Sequence, residues 1–161
     1  MAQTYDPSEV NVIVGGRFIE GFAEGSFVTA QMNSQLWTYH RGRGPGGGAR
    51  TKNPNLNGVV SFFLLQTSPS NNWLQAFVND ARLGSGDAFS VYILNSKGGE
   101  EVRADSAWII NEPQLAMSKP GLETRQWTVE SGNLRIFTRS DYPNAQVDLS
   151  GAFPAIQPRV F

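Results

Sequence analysis

Residues 57–84 read NGVVSFFLLQTSPSNNWLQAFVNDARLG, and this stretch decides the fold. In the run VVSFFLL at 59–65 both alternating faces are apolar, which predicts a strand inside a sheet with both faces covered. At 66–69 the apolar period changes from two to about 3.6 residues, with Ser68 as the predicted cap and Pro69 at the first helical position. The helix that follows has one apolar face and ends at Gly84. That face consists of Trp73, Leu74, Phe77, Val78 and Ala81.

Length and composition limit the classes of function. The 161 residues fit one domain, 1–161, with a single core. The formal net charge is −1, whereas a protein that grips DNA or anionic membrane over its whole surface is strongly basic. The chain has no Cys and one His, which excludes disulfide scaffolds, thiolate catalysis and multi-histidine metal sites. We therefore expect no metal and no cofactor.

The N-terminal residues show no secretory pattern, and no apolar run is long enough to span a bilayer. We expect a protein that is made in the cytosol and makes no membrane contact.

Before the helix, the pattern predicts strands. Residues 9–20 indicate two short strands around a Gly15–Gly16 turn. Residues 27–39 are predicted to form one long strand with an uncharged polar face. That polar face consists of Thr29, Gln31, Asn33 and Gln35.

Residues 40–57, HRGRGPGGGARTKNPNLN, are predicted to form an extended loop, because they are rich in Gly, Pro and Asn and lack apolar periodicity. The loop contains Arg41, Arg43, Arg50 and Lys52 and no acidic residue. It lacks the spacing of a phosphate-binding P-loop, and its single Arg-Gly motif is short for an RNA-binding segment. We expect an ordered loop that contacts protein; a solvated hairpin tip is the alternative.

After the helix, strands are predicted at 88–94 and 101–110, and a hairpin with its turn at 131–133 is predicted within 124–137. The Pro-rich segment 141–161 is expected to lie along a surface. These elements predict a mostly β, antiparallel sandwich or barrel with one packed α-helix.

No set of residues indicates catalysis, so the chain is not expected to be an enzyme. His40 is the only candidate general base, and no carboxylate pair stands out as a hydrolytic pair. Three tryptophans are predicted to be core residues: Trp73, Trp108 and Trp127. Trp37 is expected at an intersubunit contact.

Three stretches carry a resemblance to a known family: GRFIEGFAEGSFVTAQ at 16–31, NGVVSFFLLQTSPSNNWLQAFVND at 57–80, and ADSAWIINEPQLAMSKPGLETRQWTVES at 104–131. In this order the chain resembles the tail tube proteins of contractile-tailed bacteriophages. The resemblance implies a β-sandwich subunit with one helix, whose strands close a shared barrel in a hexameric ring. The rings then stack into the inner tail tube that conducts phage DNA into the host.

The resemblance also implies roles, partners and a location. Thr29, Gln31, Asn33 and Gln35 would face a lumen that DNA crosses without specific binding, and the basic residues of 40–57 would contact the next ring. The implied partners are the chain itself and the tail sheath, baseplate and tail terminator proteins. The implied location is the virion, after assembly in the bacterial cytoplasm. Two alternatives stay open: the tube of a phage-derived secretion or bacteriocin device, and a β-sandwich carbohydrate-binding module.

Overall fold

The computed structural model describes residues 4–119 and 121–138. These residues form a short 3-10 helix, Pro7–Glu9, one α-helix and ten strands. The helix is α1 (Ser70–Arg82), and the strands are β1 (Val10–Val14), β2 (Arg17–Phe18), β3 (Val28–Met32), β4 (Trp37–Arg41), β5 (Gly48–Lys52), β6 (Gly58–Leu65), β7 (Phe89–Asn95), β8 (Glu101–Asn111), β9 (Thr124–Ser131) and β10 (Leu134–Phe137).

Eight of the strands form one antiparallel sheet in the order β2-β1-β7-β8-β9-β6-β3, with β10 also paired to β8. β4 and β5 form a separate two-stranded sheet. The sheet encloses one apolar core, in which residues of β1 and β7 meet residues of β6 and β9. The prediction of a mostly β, antiparallel fold with one packed helix is confirmed. Within the described part of the chain, no helix is long and apolar enough to cross a membrane.

β6 lies inside the sheet between β3 and β9, as predicted for an apolar run. Val60, Phe62 and Leu64 are buried, but the residues that alternate with them are only half-buried. The prediction that both faces are covered is therefore wrong for the single chain, since one face stays partly open to solvent.

α1 packs on the core through Leu74 and Val78, with Trp73 and Phe77 partly buried beside them. Ala81, predicted on the same face, is exposed. The helix ends in a Schellman arrangement, in which the Ser85 N–H donates to the Asp80 carbonyl at 3.0 Å. Gly84 has a φ of 87° there, a conformation that favours glycine.

The predicted long strand at 27–39 is two strands in two different sheets, β3 and β4. Beyond β3 the chain is held to the segment that precedes β6, first through its backbone and then through polar side chains, before it enters β4. The Asn33 N–H donates to the Asn57 carbonyl at 3.0 Å, and the Ser34 hydroxyl donates to the Asn57 side chain at 3.2 Å. The segment 40–57, predicted as a loop, contributes the end of β4 and all of β5, so only its turn and its return to β6 lack strand structure.

The predicted hairpin at 124–137 is instead one interrupted strand. β9 and β10 both run along β8, with Ser131 opposite Ala107 and Leu134 opposite Ala104. The Ser131 hydroxyl accepts from the Asn133 N–H at 3.0 Å and donates to the Ser106 carbonyl at 2.7 Å, which bends the chain without reversing it. The predicted surface segment 141–161 lies outside the described residues.

Candidate functional site

The most distinctive surface is the outward face of β3, β6 and β9. Cross-strand pairs place Thr29 beside Ser61 and Ser61 beside Thr128. The next row contains Gln31, Val59 and Glu130. We call this surface the polar face; its members are Thr29, Gln31, Val59, Ser61, Phe63, Leu65, Thr124, Gln126, Thr128 and Glu130. It carries one carboxylate and no basic residue.

Two of the four residues predicted for this surface lie on it. Thr29 and Gln31 are exposed on β3, whereas Asn33 and Gln35, also exposed, follow the end of that strand. Sequence reasoning missed the contribution of β9. The signal is the alternation of Gln126, Thr128 and Glu130 with Trp127 and Val129, although the turn residues at 131–133 predict a hairpin there.

Two strand edges flank the polar face. Among the described residues, β3 pairs only with β6, so its other edge is free. On the opposite side, the pairing of β8 with β7 stops at Ala107, and beyond that residue β8 pairs only with β9. Unpaired backbone groups on such edges are ready to accept a strand from another chain.

A cleft lies beside each free edge. The cleft next to β8 measures about 740 Å³ and lies between the end of α1 and the end of β8. Its lining includes Trp108, which is 43% exposed. The prediction that Trp108 is a core residue is therefore wrong. The cleft next to β3 measures about 360 Å³ and is lined by apolar side chains that include Val28, Ile93 and Val102. Both edges therefore adjoin recessed surface.

The hairpin formed by β4 and β5 carries most of the predicted basic residues on one face. The register places Trp37 opposite Lys52, Tyr39 opposite Arg50, and Arg41 opposite Gly48. These side chains share a face because directly paired residues point to the same side of a sheet. All ten residues of the two strands are exposed.

Aromatic rings organise this hairpin face. The Arg50 guanidinium lies 4.1 Å from the centre of the Trp37 ring, within the range of a cation–π contact. The Tyr39 ring lies against Gly48 and leaves no room for a side chain there. Arg43 lies in the turn at 42–47, outside the strands. We call Trp37, Tyr39, Arg41, Arg43, Arg50 and Lys52 the basic hairpin surface; His40 points to the other face of β4.

A buried polar network explains the unusual sequence between β6 and α1. The Ser68 hydroxyl donates to the Glu20 carbonyl and accepts from the Ser70 N–H at 3.2 Å. Pro69 occupies the N-cap position, one residue later than predicted, and Ser68 bonds to the first N–H of α1 from just before it. The Glu20 N–H donates to the Ser70 hydroxyl at 3.0 Å. Asn71 accepts from the Trp127 indole N–H at 2.9 Å and donates to the Leu65 carbonyl at 2.9 Å. Trp127 is 1% exposed, which confirms it as a core residue.

Three carboxylates line the cleft next to β8: Asp80, Asp87 and Glu112. Glu112 accepts from Gln75 at 3.0 Å and from Arg82 at 2.6 Å, and these hydrogen bonds lower the pKa of Glu112 below its ordinary value. Asp105 accepts from Arg135 at 2.8 Å. Residues 4–119 and 121–138 contain no group of three or more potential metal-binding side chains.

Comparison with known proteins gave matches in structure alone. No family model matches the chain, and no curated protein matches it in sequence. A tube-terminating cap of the anti-feeding prophage, solved by cryo-EM, has a TM-score of 0.61 with 12% sequence identity; the match covers 86% of this chain and 94% of the cap. A chain from the PVC sheath–tube complex of an extracellular contractile injection system, in its extended state, has a TM-score of 0.60 with 12% identity and coverages of 84% and 93%.

The sheath/tube terminator of the same PVC system has a TM-score of 0.55 with 13% identity, and the match covers 86% of this chain and 99% of that one. The chain therefore has the fold of tube and terminator proteins of contractile injection systems. Each match spans nearly the whole of the similar chain, so no large part of that fold is missing here.

Proposed function

We propose that this chain is a structural tail protein that forms hexameric rings, which stack into the inner tube of a contractile tail and conduct phage DNA during ejection. The observation that carries the proposal is the polar face bounded by two free strand edges. A subunit with this architecture can continue its sheet into a neighbour on both sides. The shared fold with tube and terminator proteins supports the same conclusion.

Ring formation follows from the strand directions. β3, β6, β9 and β8 alternate in direction, so β3 and β8 run in opposite directions. When identical subunits are related by rotation about an axis along the strands, the β8 edge of one copy meets the β3 edge of the next as an antiparallel pair. The polar faces of successive subunits then form one continuous surface, and both exposed edges are covered.

The composition of the polar face suits a channel wall for DNA. A basic wall would hold phosphates and release counterions at every contact, which would resist sliding. Beside the half-buried Val59, Phe63 and Leu65, the polar face offers hydroxyl and amide groups with a single carboxylate, Glu130, and no Lys or Arg. Thr29 and Gln31 are the lumen residues on β3, and Asn33 and Gln35 continue the surface towards the end of the subunit.

The basic hairpin surface supplies the contact between rings. Its exposed aromatic and cationic side chains have no acidic residue within 33–57 to neutralise them. An acidic surface on an adjacent subunit is the partner that its charge favours. Contacts to a sheath, a baseplate and a tail terminator protein complete the proposed assembly, which forms in the bacterial cytoplasm and ends in the virion.

A second candidate function is the tube or terminator of an injection device that carries no DNA. The three similar structures come from the anti-feeding prophage and from an extracellular contractile injection system, and two of them are a cap and a terminator. A terminator stops at a single ring on the end of a tube, whereas a tube subunit continues to stack. Purified particles with packaged DNA favour the first function; open-ended tubes without DNA favour the device.

Negative-stain electron microscopy of the concentrated protein tests the proposal. We expect rings or tubes with a central hole. A protein that stays monomeric at all concentrations and salt conditions, and whose Trp fluorescence responds to glycans, would instead support a carbohydrate-binding module.

A further inference from the structure

An exposed tryptophan and a carboxylate lie side by side on the open face of the main sheet. The register places Trp108 of β8 directly opposite Glu130 of β9, and directly paired residues point to the same side of a sheet, with their Cβ atoms about 4.5–5.5 Å apart. The pairing continues from Glu130 to Val59 and from Val59 to Gln31. Trp108 therefore extends this row of the polar face onto β8, next to the carboxylate.

The indole ring of Trp108 is accessible and is fixed at its base. Its side chain is 43% exposed, whereas the preceding residue, Ala107, is fully buried and anchors the strand. A Cβ built on Gly132 would lie 4.0 Å from Cη2 of Trp108, so the six-membered part of the ring lies towards the interruption between β9 and β10. Because Gly132 has no side chain, nothing projects from that position to cover the ring.

The carboxylate of Glu130 has no cationic partner among the residues that the structure describes. β8 and β10 contribute one basic residue each, and both already bond to carboxylates of β8, Arg103 at 2.7 Å and Arg135 at 2.8 Å. On β9, Arg125 lies five residues before Glu130, so it points to the opposite face of the sheet. The carboxylate is therefore available to a cation from outside the subunit.

We propose that Trp108 and Glu130 form a binding site for an organic cation that carries a primary ammonium group. Glu130 accepts a charge-assisted hydrogen bond from the ammonium, and the face of the Trp108 ring attracts the same charge through a cation–π contact. The two natural sources of this group are the side chain of a lysine in an extended polypeptide and a free polyamine.

The chemistry of the pair disfavours other ligands. Ca²⁺ and Mg²⁺ take about six or more oxygen ligands, and one carboxylate supplies at most two. The phosphates of DNA are repelled by Glu130, and the bases of a duplex are stacked on one another, so they do not present a ring face to Trp108. An ammonium group matches both the charge and the aromatic surface.

This site goes beyond the proposed function and does not require assembly, because both residues belong to one chain. In the proposed ring, every subunit would place one copy of the pair on the channel wall. A ligand with several ammonium groups would then reach several sites at once and bind more tightly than to a single subunit.

Fluorine NMR of the unassembled full chain, labelled with 5-fluorotryptophan, tests the site directly. The chain has four tryptophans, so each signal can be assigned by substitution. Spermidine and tetralysine are the probes, since both carry primary ammonium groups. We expect each probe to shift the Trp108 signal and to leave the signal of the buried Trp127 unchanged, with a weaker response at high salt because exposed charges are screened.

Substitutions identify the groups that bind the probes. Glu130→Gln keeps the shape of the side chain and removes its charge, and Trp108→Leu removes the aromatic face. Each is expected to weaken the binding of labelled spermidine, measured by equilibrium dialysis, by about threefold or more. Glu24→Gln and Trp37→Leu are the matched controls, because they change an exposed carboxylate and an exposed tryptophan on other surfaces and should leave the affinity unchanged.

The outcomes separate this inference from the proposed function. A Trp108 signal that neither probe shifts, or a shift that Glu130→Gln leaves at its wild-type strength in a variant with wild-type circular dichroism, would overturn the inference. A response to tetralysine alone assigns the site to lysine side chains, and a response to spermidine alone assigns it to polyamines. A protein that binds a probe but never forms rings rejects only the proposed function, whereas rings that bind neither probe reject only this site.

Discussion

Asn71 is expected to be the most sensitive polar residue in the fold, and Asn71→Ala tests the role of the junction between β6 and α1. Asn71 is 3% exposed and accepts from the indole N–H of Trp127, itself 1% exposed. The alanine variant leaves this donor unpaired in the core, which costs about 1–3 kcal/mol. It also removes the bond to the Leu65 carbonyl, worth about 1 kcal/mol, although that carbonyl keeps the Ser68 N–H as a donor.

The free energy of unfolding of Asn71→Ala should therefore fall by about 2–4 kcal/mol. Urea denaturation of the unassembled protein, followed by circular dichroism, measures this change. Asn72→Ala is the matched control, since Asn72 is exposed in the same helical turn and should change stability little. In a double-mutant cycle, Asn71→Ala should lower the free energy of unfolding by less in the Trp127→Phe background than in the wild type, because the indole donor is then absent. A loss below about 0.5 kcal/mol for Asn71→Ala would refute the network's proposed contribution to stability.

Three further predictions concern single positions. Gly84→Ala should destabilise the unassembled protein by about 1–2 kcal/mol in urea denaturation, because Gly84 has a φ of 87°; an unchanged midpoint would contradict the helix-end geometry. Gly58→Ala should lower the free energy of unfolding by about 1–3 kcal/mol in the same assay, because an added Cβ would lie 2.7 Å from a carbonyl oxygen of β3. A variant as stable as the wild type would mean that β3 can move to make room for the Cβ. Hydrogen bonds from Gln75 and Arg82 lower the pKa of Glu112 in the folded protein. Glu112 therefore stabilises the fold at pH values above its pKa in the unfolded chain, and this stabilisation is lost as the pH falls through its pKa in the folded protein. NMR titration should give Glu112 a midpoint below the ordinary glutamate value, and Arg82→Ala should raise that midpoint; equal midpoints would contradict the contact.

The sequence predicted the elements whose signals are local. The change of apolar period at 66–69 located α1 to within one or two residues, and the Gly15–Gly16 turn between β1 and β2 is present with positive φ at both glycines. Ser68 and Gly84 act at the two helix ends as their residue types predict. These features depend on neighbours in the chain, so a single sequence contains enough information to place them.

The errors arose where pairing partners decide the structure. Residues 131–133 have turn chemistry, yet the ladder to β8 continues through them, because the Ser131 hydroxyl bonds across to the Ser106 carbonyl. Residues 40–57 lack apolar periodicity because β4 and β5 project away from the core, so no buried face is required of them. Trp108 has the same alternation as the buried Val102 and Ala104, but an irregularity in the pairing with β7 shifts the phase, so Ala107 is buried and Trp108 is exposed.

The sequence predicts several residues of the candidate site but only partly the strands and faces on which they lie. The sequence predicts Arg41, Arg50 and Lys52 in one loop, and the structure places them on one face of a hairpin with two aromatic rings. The contributions of β6 and β9 to the polar face depend on strand register, which a single sequence does not specify. The roles proposed for these residues in a lumen and between rings stay predictions.

Cryo-electron microscopy of the assembled protein tests the central claim most directly. The account predicts a ring in which the β3 edge of each subunit pairs antiparallel with the β8 edge of its neighbour, and in which Gln31, Thr128 and Glu130 line a continuous central channel. A ring whose channel is lined by other surfaces, with the polar face buried or turned outward, would contradict it.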